Sequence, residues 1–109
     1  MLDEQAFQKC ADAALDDLYG SLADAAEQHD FDADFSSGAL TVEFEEPRTK
    51  FVVSPNSPVR QIWVSAHSRS FKLDWDAGRN TFVLLQTGQD LKQLIAEQIG
   101  IQLGESIAL

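Results

Sequence analysis

Carboxylate side chains crowd the first third of this 109-residue sequence. Ten of the first 34 residues are Asp or Glu and the one basic residue among them is Lys9, so this stretch carries a charge near −9. Carboxylate oxygens are hard ligands that suit Ca²⁺, Mg²⁺, Mn²⁺ and, acceptably, Fe²⁺. The first chemistry that the sequence suggests is therefore the binding of a cation or of a basic protein surface.

The spacing of these carboxylates does not form a chelating motif. It has no EF-hand pattern, and no cluster of His or Cys joins it, so a bound metal would sit on an exposed surface and keep most of its waters. The other interpretation is a solvated acidic face that only aids solubility, and charge alone leaves both open. The concentration favours a binding surface, because the acidic run continues from the first helix into the following strand at Asp30, Asp32 and Asp34.

A second candidate for function is Trp63. The strand that contains it should turn Ile62, Val64 and Ala66 inward, which leaves Gln61, Trp63 and Ser65 on the open face. A large aromatic side chain on the solvent side of a sheet is a candidate hot spot for a protein partner. The alternative is a register shifted by one residue, which would bury Trp63. Basic residues on nearby strands and turns make this face mildly basic: Lys50, Arg60, Arg69 and Lys72.

Helical periodicity covers the first 28 residues. The apolar stripe of this helix is predicted to contain Phe7, Ala11, Ala14, Leu18, Leu22 and Ala25. The opposite side is acidic, and Asp3 is placed to accept the first backbone N–H groups as the N-cap. Asp24 and Glu27 lie near the helix C-terminus, where negative charge is locally unfavourable, so helix stability does not explain them.

From Phe31 onward the apolar period changes to two, which is typical of half-buried strands. Strands are predicted over residues 31–35, 40–44, around 51–53, 59–66, 71–75 and 81–85. Turns are predicted at residues 36–38, around Pro47, at 54–58 and at 76–80. A capping box at residues 87–90 should begin a closing helix with apolar positions Leu91, Leu94, Ile95 and 98–99, and Gly100 should end it.

The order of elements predicts an α+β fold. We expect a two-layer α-β sandwich with the N- and C-terminal helices packed on one face of a five- to six-stranded, largely antiparallel sheet. Residues 1–109 should form a single domain, because a chain of this size buries one core.

The amino-acid composition argues against several classes of function. The net charge of −10 and the pI near 4.3 argue against nucleic acid and anionic membranes. No apolar run approaches the length of a membrane span, and the N-terminus lacks an apolar signal core. Cys10 is the only cysteine, so no intramolecular disulfide is expected. These features predict a cytoplasmic protein.

An enzymatic active site is not expected. The two histidines, His29 and His67, lie far apart in sequence, and the chain has no GxSxG, HExxH or CxxC motif. Its glycines are scattered singly, so no loop would cradle a phosphate. We therefore predict no catalytic residues.

The segment from Ser54 to Trp63 resembles a motif of the frataxin family, and more closely of its short bacterial CyaY-like branch. The family stretch is similar to Asn-x-Gln-x-Pro-x-x-Gln-aliphatic-Trp, and four positions match at the right spacing: Pro58, Gln61, Ile62 and Trp63. Ser54 and Asn56 replace the usual Asn and Gln. A second similarity lies in residues 30–34 and 38–44, which resemble the acidic first strand and the Gly-x-Leu-x-aliphatic-x-Phe second strand of the family.

This resemblance implies an iron-binding adaptor or regulator of iron–sulfur cluster assembly and iron homeostasis. It implies Fe(II)/Fe(III) bound weakly on an acidic ridge, which also docks to the cysteine desulfurase. In this sequence the ridge comprises Asp12, Asp16, Asp17, Asp24, Glu27, Asp30, Asp32 and Asp34. Two positions that are acidic in the bacterial pattern are Tyr19 and Gly20 here. Gln61 and Trp63 take the role of the sheet face that binds the scaffold protein.

Other classes remain as alternatives to this hypothesis. A small acidic secretion-type chaperone, or another protein-binding module, shares the size and charge but not the motif from Pro58 to Trp63. Such a chaperone works as a dimer, whereas we expect a monomer here, with iron-dependent oligomers left open. Ferroxidase activity has been attributed to the family, but no buried di-iron carboxylate site is recognisable in the sequence.

Overall fold

The computed structural model describes residues 3–45 and 48–109. Two helices enclose a run of strands in the chain. The elements are α1 (Glu4–Ala26), β1 (Asp32–Ser36), β2 (Ala39–Glu45), β3 (Arg48–Asn56), a 3₁₀ turn η1 (Ser57–Val59), β4 (Gln61–Ala66), β5 (Arg69–Asp76), β6 (Thr81–Leu84), β7 (Gln89–Asp90) and α2 (Leu91–Leu103). The α+β sandwich predicted from the sequence is confirmed.

The sheet is an antiparallel meander in which each strand pairs with the next along the chain. Within residues 3–45 and 48–109 it contains seven strands in the order β1 to β7, so the predicted count of five to six was too low. The additional strand is β7, two residues that pair with the end of β6 immediately before α2. Two residues carry no readable alternation, which is why the sequence did not reveal this strand.

Helix α1 begins and packs largely as its sequence predicts. Asp3 is the N-cap, and its side chain accepts a hydrogen bond of 2.7 Å from the backbone N–H of Ala6. The predicted stripe was partly wrong, because Leu15 is fully buried while Ala14 and Ala25 are only half-buried. A wide apolar stripe accommodates Leu15 at one margin, where a large side chain reaches the core better than alanine does.

Two hairpins set the register of the sheet. The β1–β2 turn at Ser37 and Gly38 and the β4–β5 turn at His67 and Ser68 each have positive φ at both residues, as type I′ turns require. His67 tolerates this conformation because its ring packs edge-on against Phe51 and bonds the Gln98 carbonyl oxygen at 3.2 Å. These short turns therefore fix which strand residues lie opposite each other.

The predicted turn at residues 54–58 was wrong in part. Strand β3 continues through Ser54 and Pro55 to Asn56, and the chain then reverses in η1. Arg60 closes this reversal in the left-handed conformation, and its guanidinium donates to the Ser57 carbonyl oxygen. Pro55 is compatible with a strand when its missing N–H is not needed in the ladder. The turn predicted around Pro47 lies outside the described residues.

Both boundaries of α2 differ from the sequence prediction. The capping box lies three residues later than expected, with Asp90 as the N-cap and Gln93 as its reciprocal partner. Gly100 does not end the helix, which continues to Leu103 and stops at Gly104 with φ of 72°. A glycine inside the helix is explained by the C-terminal segment, since a Cβ at Gly100 would lie 2.8 Å from the backbone oxygen of Glu105.

The core lies between the helices and one face of the sheet. It joins α1, α2 and the inward side chains of five strands, β2 to β6, into a single cluster, with Phe7, Phe51 and Phe82 among its largest fully buried members. The predicted apolar positions of α2 are all buried, including Gln98 at 3% exposure. Neither α1 nor α2, the helices of the described ranges, has the length and apolar character to cross a membrane.

Gly20 and Gly100 should respond oppositely to substitution by alanine. A Cβ at Gly20 meets nothing within 4 Å, so Gly20→Ala should raise the free energy of unfolding by about 0.5–1 kcal/mol. Gly100→Ala should lower it, because the new methyl group must displace the Glu105 backbone. Urea denaturation of both variants measures these two changes in the free energy of unfolding. Stabilisation by Gly100→Ala would show that the C-terminal segment does not pack against α2 as described.

Candidate metal and partner-binding surfaces

The eight predicted ridge carboxylates are all exposed to solvent: Asp12, Asp16, Asp17, Asp24, Glu27, Asp30, Asp32 and Asp34. Four lie on α1, Glu27 is its C-cap, Asp30 lies in the connection to β1, and two lie on β1 itself. They point to water because the apolar stripe of α1 and the alternation of β1 turn the intervening apolar side chains inward. The structure therefore presents the ridge on the outside of the helix layer and along one edge of the sheet.

The ridge is extended, and it does not converge on one point. From Asp12 to Glu27 the helix rises about 22 Å, which no single ion can bridge. Neighbouring pairs do exist, such as Asp12 and Asp16 one turn apart, with Cβ atoms about 5–6 Å from each other. Across residues 3–45 and 48–109, no group of three or more His, Cys, Asp or Glu side chains is assembled to hold a metal ion. Each bound cation would thus contact one or two carboxylates and retain its waters.

Some ridge carboxylates already have polar partners. Lys92 of α2 approaches Asp17 with an Nζ to Oδ2 distance of 2.8 Å and joins the two helices. The amide of Gln8 donates to Asp12 Oδ1 at 2.8 Å, one turn earlier on α1. Both contacts are exposed, and a solvated ion pair stabilises a fold by only about 0–1 kcal/mol. These contacts would therefore compete only weakly with a metal or a basic partner.

The structure adds Glu43 to the ridge, which the sequence analysis missed. Glu43 lies directly opposite Asp32 in the β1–β2 ladder, on the open side of the sheet. Cβ atoms of such cross-strand pairs are about 4.5–5.5 Å apart, so the two carboxylates form a further pair. The signal was present in the sequence, because a two-residue turn at Ser37 and Gly38 fixes this register. On the other side of Glu43 lies Lys50, which partly offsets its charge.

Two non-acidic positions interrupt the ridge. Tyr19 turns toward the sheet and packs edge-on against Phe35, with ring centroids 6.1 Å apart. Gly20 is exposed on the outer side of α1, where a side chain would meet open space. The tyrosine therefore has a packing role at the α1–β1 contact, whereas Gly20 leaves a gap in the line of charge.

Trp63 lies on the open face of the sheet, as its strand alternation predicted, and is 37% exposed. Its indole Nε1–H donates to Gln61 Oε1 at 2.9 Å, and the Gln61 amide donates to Asp74 Oδ1 at 3.1 Å. Lys72 lies over the ring with its Nζ 5.0 Å from the ring centroid. The indole is therefore held in a defined orientation before any partner binds, which lowers the entropy cost of using it as a contact.

The strand register explains how these side chains meet. Trp63 lies between Ser54 of β3 and Lys72 of β5, and Gln61 lies between Asn56 and Asp74. Hence Ser54 and Asn56, the two departures from the family motif, directly flank the pair predicted to bind a partner. The sequence analysis had placed Lys72 near this face. The hydrogen bond from Gln61 to Asp74 could not be predicted without the register of β4 against β5.

The ridge and the Trp63 surface occupy different parts of the molecule. Most of the ridge follows the outside of α1, which covers one face of the sheet, while Trp63 lies in the middle of the other face. Asp32 and Asp34 form the link, since they project to the open side from the edge strand β1. Two partners could therefore contact the protein at the same time.

The fold and these surfaces define a class: an α+β sandwich with an acidic first helix and edge strand and a tryptophan on the open sheet face. Residues 1–105 match the family model described as a frataxin-like domain. The sequence is 33% identical over 95 residues to an iron–sulfur cluster assembly protein CyaY of Azotobacter vinelandii, covering 85% of this chain and 86% of that protein. It is 30% identical over 105 residues to a CyaY of Herminiimonas arsenicoxydans, covering 93% and 94%.

Solved structures show the same architecture. A frataxin from Psychromonas ingrahamii superimposes with a TM-score of 0.77 at 22% identity, covering 98% of this chain and 97% of that one. Yeast frataxin superimposes with a TM-score of 0.68 at 26% identity, covering 88% and 79%. The chain belongs to the frataxin family, in its CyaY-like branch, as the sequence resemblance predicted.

Gln61 should control the orientation of Trp63. Gln61→Ala removes the acceptor of the indole N–H and should lower the free energy of unfolding by about 0.5–1.5 kcal/mol. The indole Nε1–H resonance should move toward the position of a solvated tryptophan. Ser65→Ala, on the same strand and face, is the matched control and should leave that resonance in place. An unchanged indole signal in Gln61→Ala would contradict the bracing described above.

Proposed function

We propose that this protein is an iron-binding adaptor that regulates or feeds iron–sulfur cluster assembly and has no catalytic site of its own. The main support for the proposal is that the ridge carboxylates are exposed and, within the described residues, mostly outside salt bridges. All eight carboxylates are exposed, and in residues 3–45 and 48–109 only Asp17 among them is in a salt bridge. The relatives named as iron–sulfur cluster assembly proteins support the assignment of the process.

Weak and hydrated iron sites suit this function. A ridge that offers one or two carboxylates per ion holds Fe(II) or Fe(III) without enclosing it, so the metal can leave when a receptor with better ligands is near. A closed site with four or more protein ligands would retain the metal instead. The ridge carboxylates, together with Glu43, are thus assigned as transient ligands, and the iron is cargo.

The same ridge is proposed to dock the cysteine desulfurase. A line of negative charge attracts a basic protein surface, raises the association rate and makes binding sensitive to salt. The two weak internal contacts at Asp12 and Asp17 can be replaced by partner cations at little cost. Docking and iron binding would then use overlapping carboxylates, so each should affect the other.

The Trp63 surface is proposed to dock the iron–sulfur scaffold protein. Tryptophan is frequent at interface hot spots, and here its ring is exposed yet held by Gln61 and Lys72. Because the brace is present in the unbound protein, binding need not order the indole. Gln61 and Trp63 are therefore assigned as partner-binding residues, with Lys72 added from the structure.

Iron binding should map to the ridge. In an anaerobic Fe(II) titration of isotopically labelled protein, the amide signals of residues 12–34 and of Glu43 should broaden first, since the unpaired electrons of iron relax nearby nuclei. A triple variant with Asp16, Asp17 and Asp24 changed to Lys should lose most of this broadening on α1.

The matched control reverses three exposed carboxylates outside the ridge, Glu4, Glu45 and Glu97, so that net charge changes equally. It should bind iron nearly as the parent does, and urea unfolding should show that both variants fold. Broadening that is absent from the ridge at millimolar Fe(II), or equal loss in both variants, would refute a ridge-specific iron site.

Mutations in the two docking surfaces should each weaken the binding of only one partner. The Asp16, Asp17 and Asp24 to Lys variant should abolish desulfurase binding and leave scaffold binding near its original affinity. Trp63→Ala should weaken scaffold binding by about tenfold or more, as expected for loss of a hot-spot aromatic, and should spare iron and desulfurase binding. Calorimetric titration with each partner measures both effects. Equal affinity of Trp63→Ala for the scaffold would reject that surface, and intact desulfurase binding by the triple variant would reject the ridge.

A further inference from the structure

Among the residues that the structure describes, strand β5 has no pairing partner on its outer edge along about half of its length. On one side it pairs with β4 from Arg69 to Asp74. On the other side, among the described residues, β6 pairs with it only at Asp74, Trp75 and Asp76. Residues 69–73 therefore present alternate backbone N–H and C=O groups that no strand in the described part of the chain receives.

The edge is open because the chain leaves this position in the sheet. Residues 85–88 turn away after β6, held by the N–H of Gly88, which donates to the Leu84 carbonyl oxygen at 2.8 Å. Arg79 fixes the far side of the turn by donating to the Gly88 carbonyl oxygen at 2.7 Å. Gly88 has φ of 77°, which favours glycine at this point. The gap is thus built into the turn, and β6 does not extend to fill it.

A hollow of about 440 Å³ lies beside this edge. Its walls come from β5, from the turn after β6 and from α2. Phe71, Leu84 and Leu94 supply apolar surface, and the nearly buried Gln98 lies beside them. Glu97 lines the side formed by α2. The hollow is therefore bounded by backbone on one side and by side chains of α2 on another, as a short strand in this position would require.

The cations of this edge leave the backbone accessible. Arg69 stacks over Phe71 with its Cζ 4.9 Å from the ring centroid, and Lys72 folds back over Trp63. Neither cation forms a salt bridge within the described residues. Successive side chains of β5 alternate between the two faces, so Lys72 marks the open face and Phe71 the face toward α2.

We propose that the outer edge of β5 at residues 69–73 binds an extended peptide segment of a partner protein, which adds as a short strand to the sheet. The segment carries a carboxylate beside Lys72 on the open face and an apolar side chain beside Phe71 on the other face. On the open face Lys72 attracts an acid. On the other face the charges of Arg69 and Glu97 offset each other, and the apolar lining favours an apolar side chain. Backbone hydrogen bonds supply affinity and the alternation supplies selectivity. This site is independent of the iron ridge.

The competing role for these cations is protection of the edge. Natural sheets place Lys and Arg at open edges to prevent pairing between molecules. Under that role the double variant Arg69→Thr with Lys72→Thr would self-associate, and the parent protein would not bind a peptide.

A designed peptide tests the proposal directly: acetyl-Asp-Val-Asp-Val-Asp-amide, added to the full-length protein. At peptide concentrations up to about 5 mM, the outward amides of residues 69–73 should become protected from hydrogen exchange, and signals of residues 84–89 should shift. Lys72→Glu should weaken binding about tenfold, while Lys50→Glu, on the same face of β3, should not.

Two control peptides separate strand addition from simple charge attraction. The Lys-Val-Lys-Val-Lys analogue should not bind, and N-methylation of the central residues of the acidic peptide should abolish protection because it removes the donors. Protection that survives N-methylation would overturn the proposal, as would signal changes confined to Trp63. Absence of any protection at these concentrations, together with self-association of the double Thr variant, would assign the cations to edge protection instead.

Discussion

The structure depends on one constraint: the sheet is buried on one face only. Both helices cover the same side, so every strand must turn its apolar side chains toward them and its polar ones toward water. In β4 this places Ile62, Val64 and Ala66 in the core and necessarily sends Trp63 outward. In β1 it sends Asp32 and Asp34 outward in the same way. A slip of one residue in either strand would bury these candidate site residues and expose the core, so the candidate surfaces and the core packing require the same register.

The negative charge of α1 destabilises the folded protein. The helix has no basic residue in its last turn, where the dipole would favour one, and it has Asp24 there instead. Its single described ion pair, with Lys92, is solvated and weak. Stability must then come from the buried stripe that includes Phe7, Leu15 and Leu22, for which burial of each large side chain contributes about 1.5–3 kcal/mol. The stability of the fold therefore does not explain the acidic surface.

Sequence patterns predicted the layers, the two helices and the outward position of Trp63, because each depends on local periodicity and on one large apolar set. These patterns gave wrong predictions where a contact between residues distant in sequence determines the local structure. Gly100 looked like a helix stop, but the helix passes through it and the C-terminal segment packs against it. The capping box was misplaced because both Thr87 and Asp90 are competent caps, and only the pairing of β7 with β6 selects Asp90. The brace of Trp63 through Asp74 required the register of β4 against β5, which no single strand contains. The pairing of Glu43 with Asp32 was missed, although the β1–β2 turn fixes it.

The position of the two surfaces in a two-layer sandwich also limits how they can communicate. Between the outside of α1 and the open sheet face lies one close-packed core, which is typically rigid and carries strain without rearranging. The described contacts contain no segment with an alternative arrangement that a ligand at the ridge would favour. The two surfaces approach each other only at the β1 edge, where Asp32 and Asp34 share the open sheet face with Trp63. There β1 and β4 are three strands apart, which is about 14 Å at about 4.8 Å per strand. Because exposed charges are largely screened beyond about 8–10 Å at physiological salt, a cation at this edge would change the potential around Trp63 only at low ionic strength.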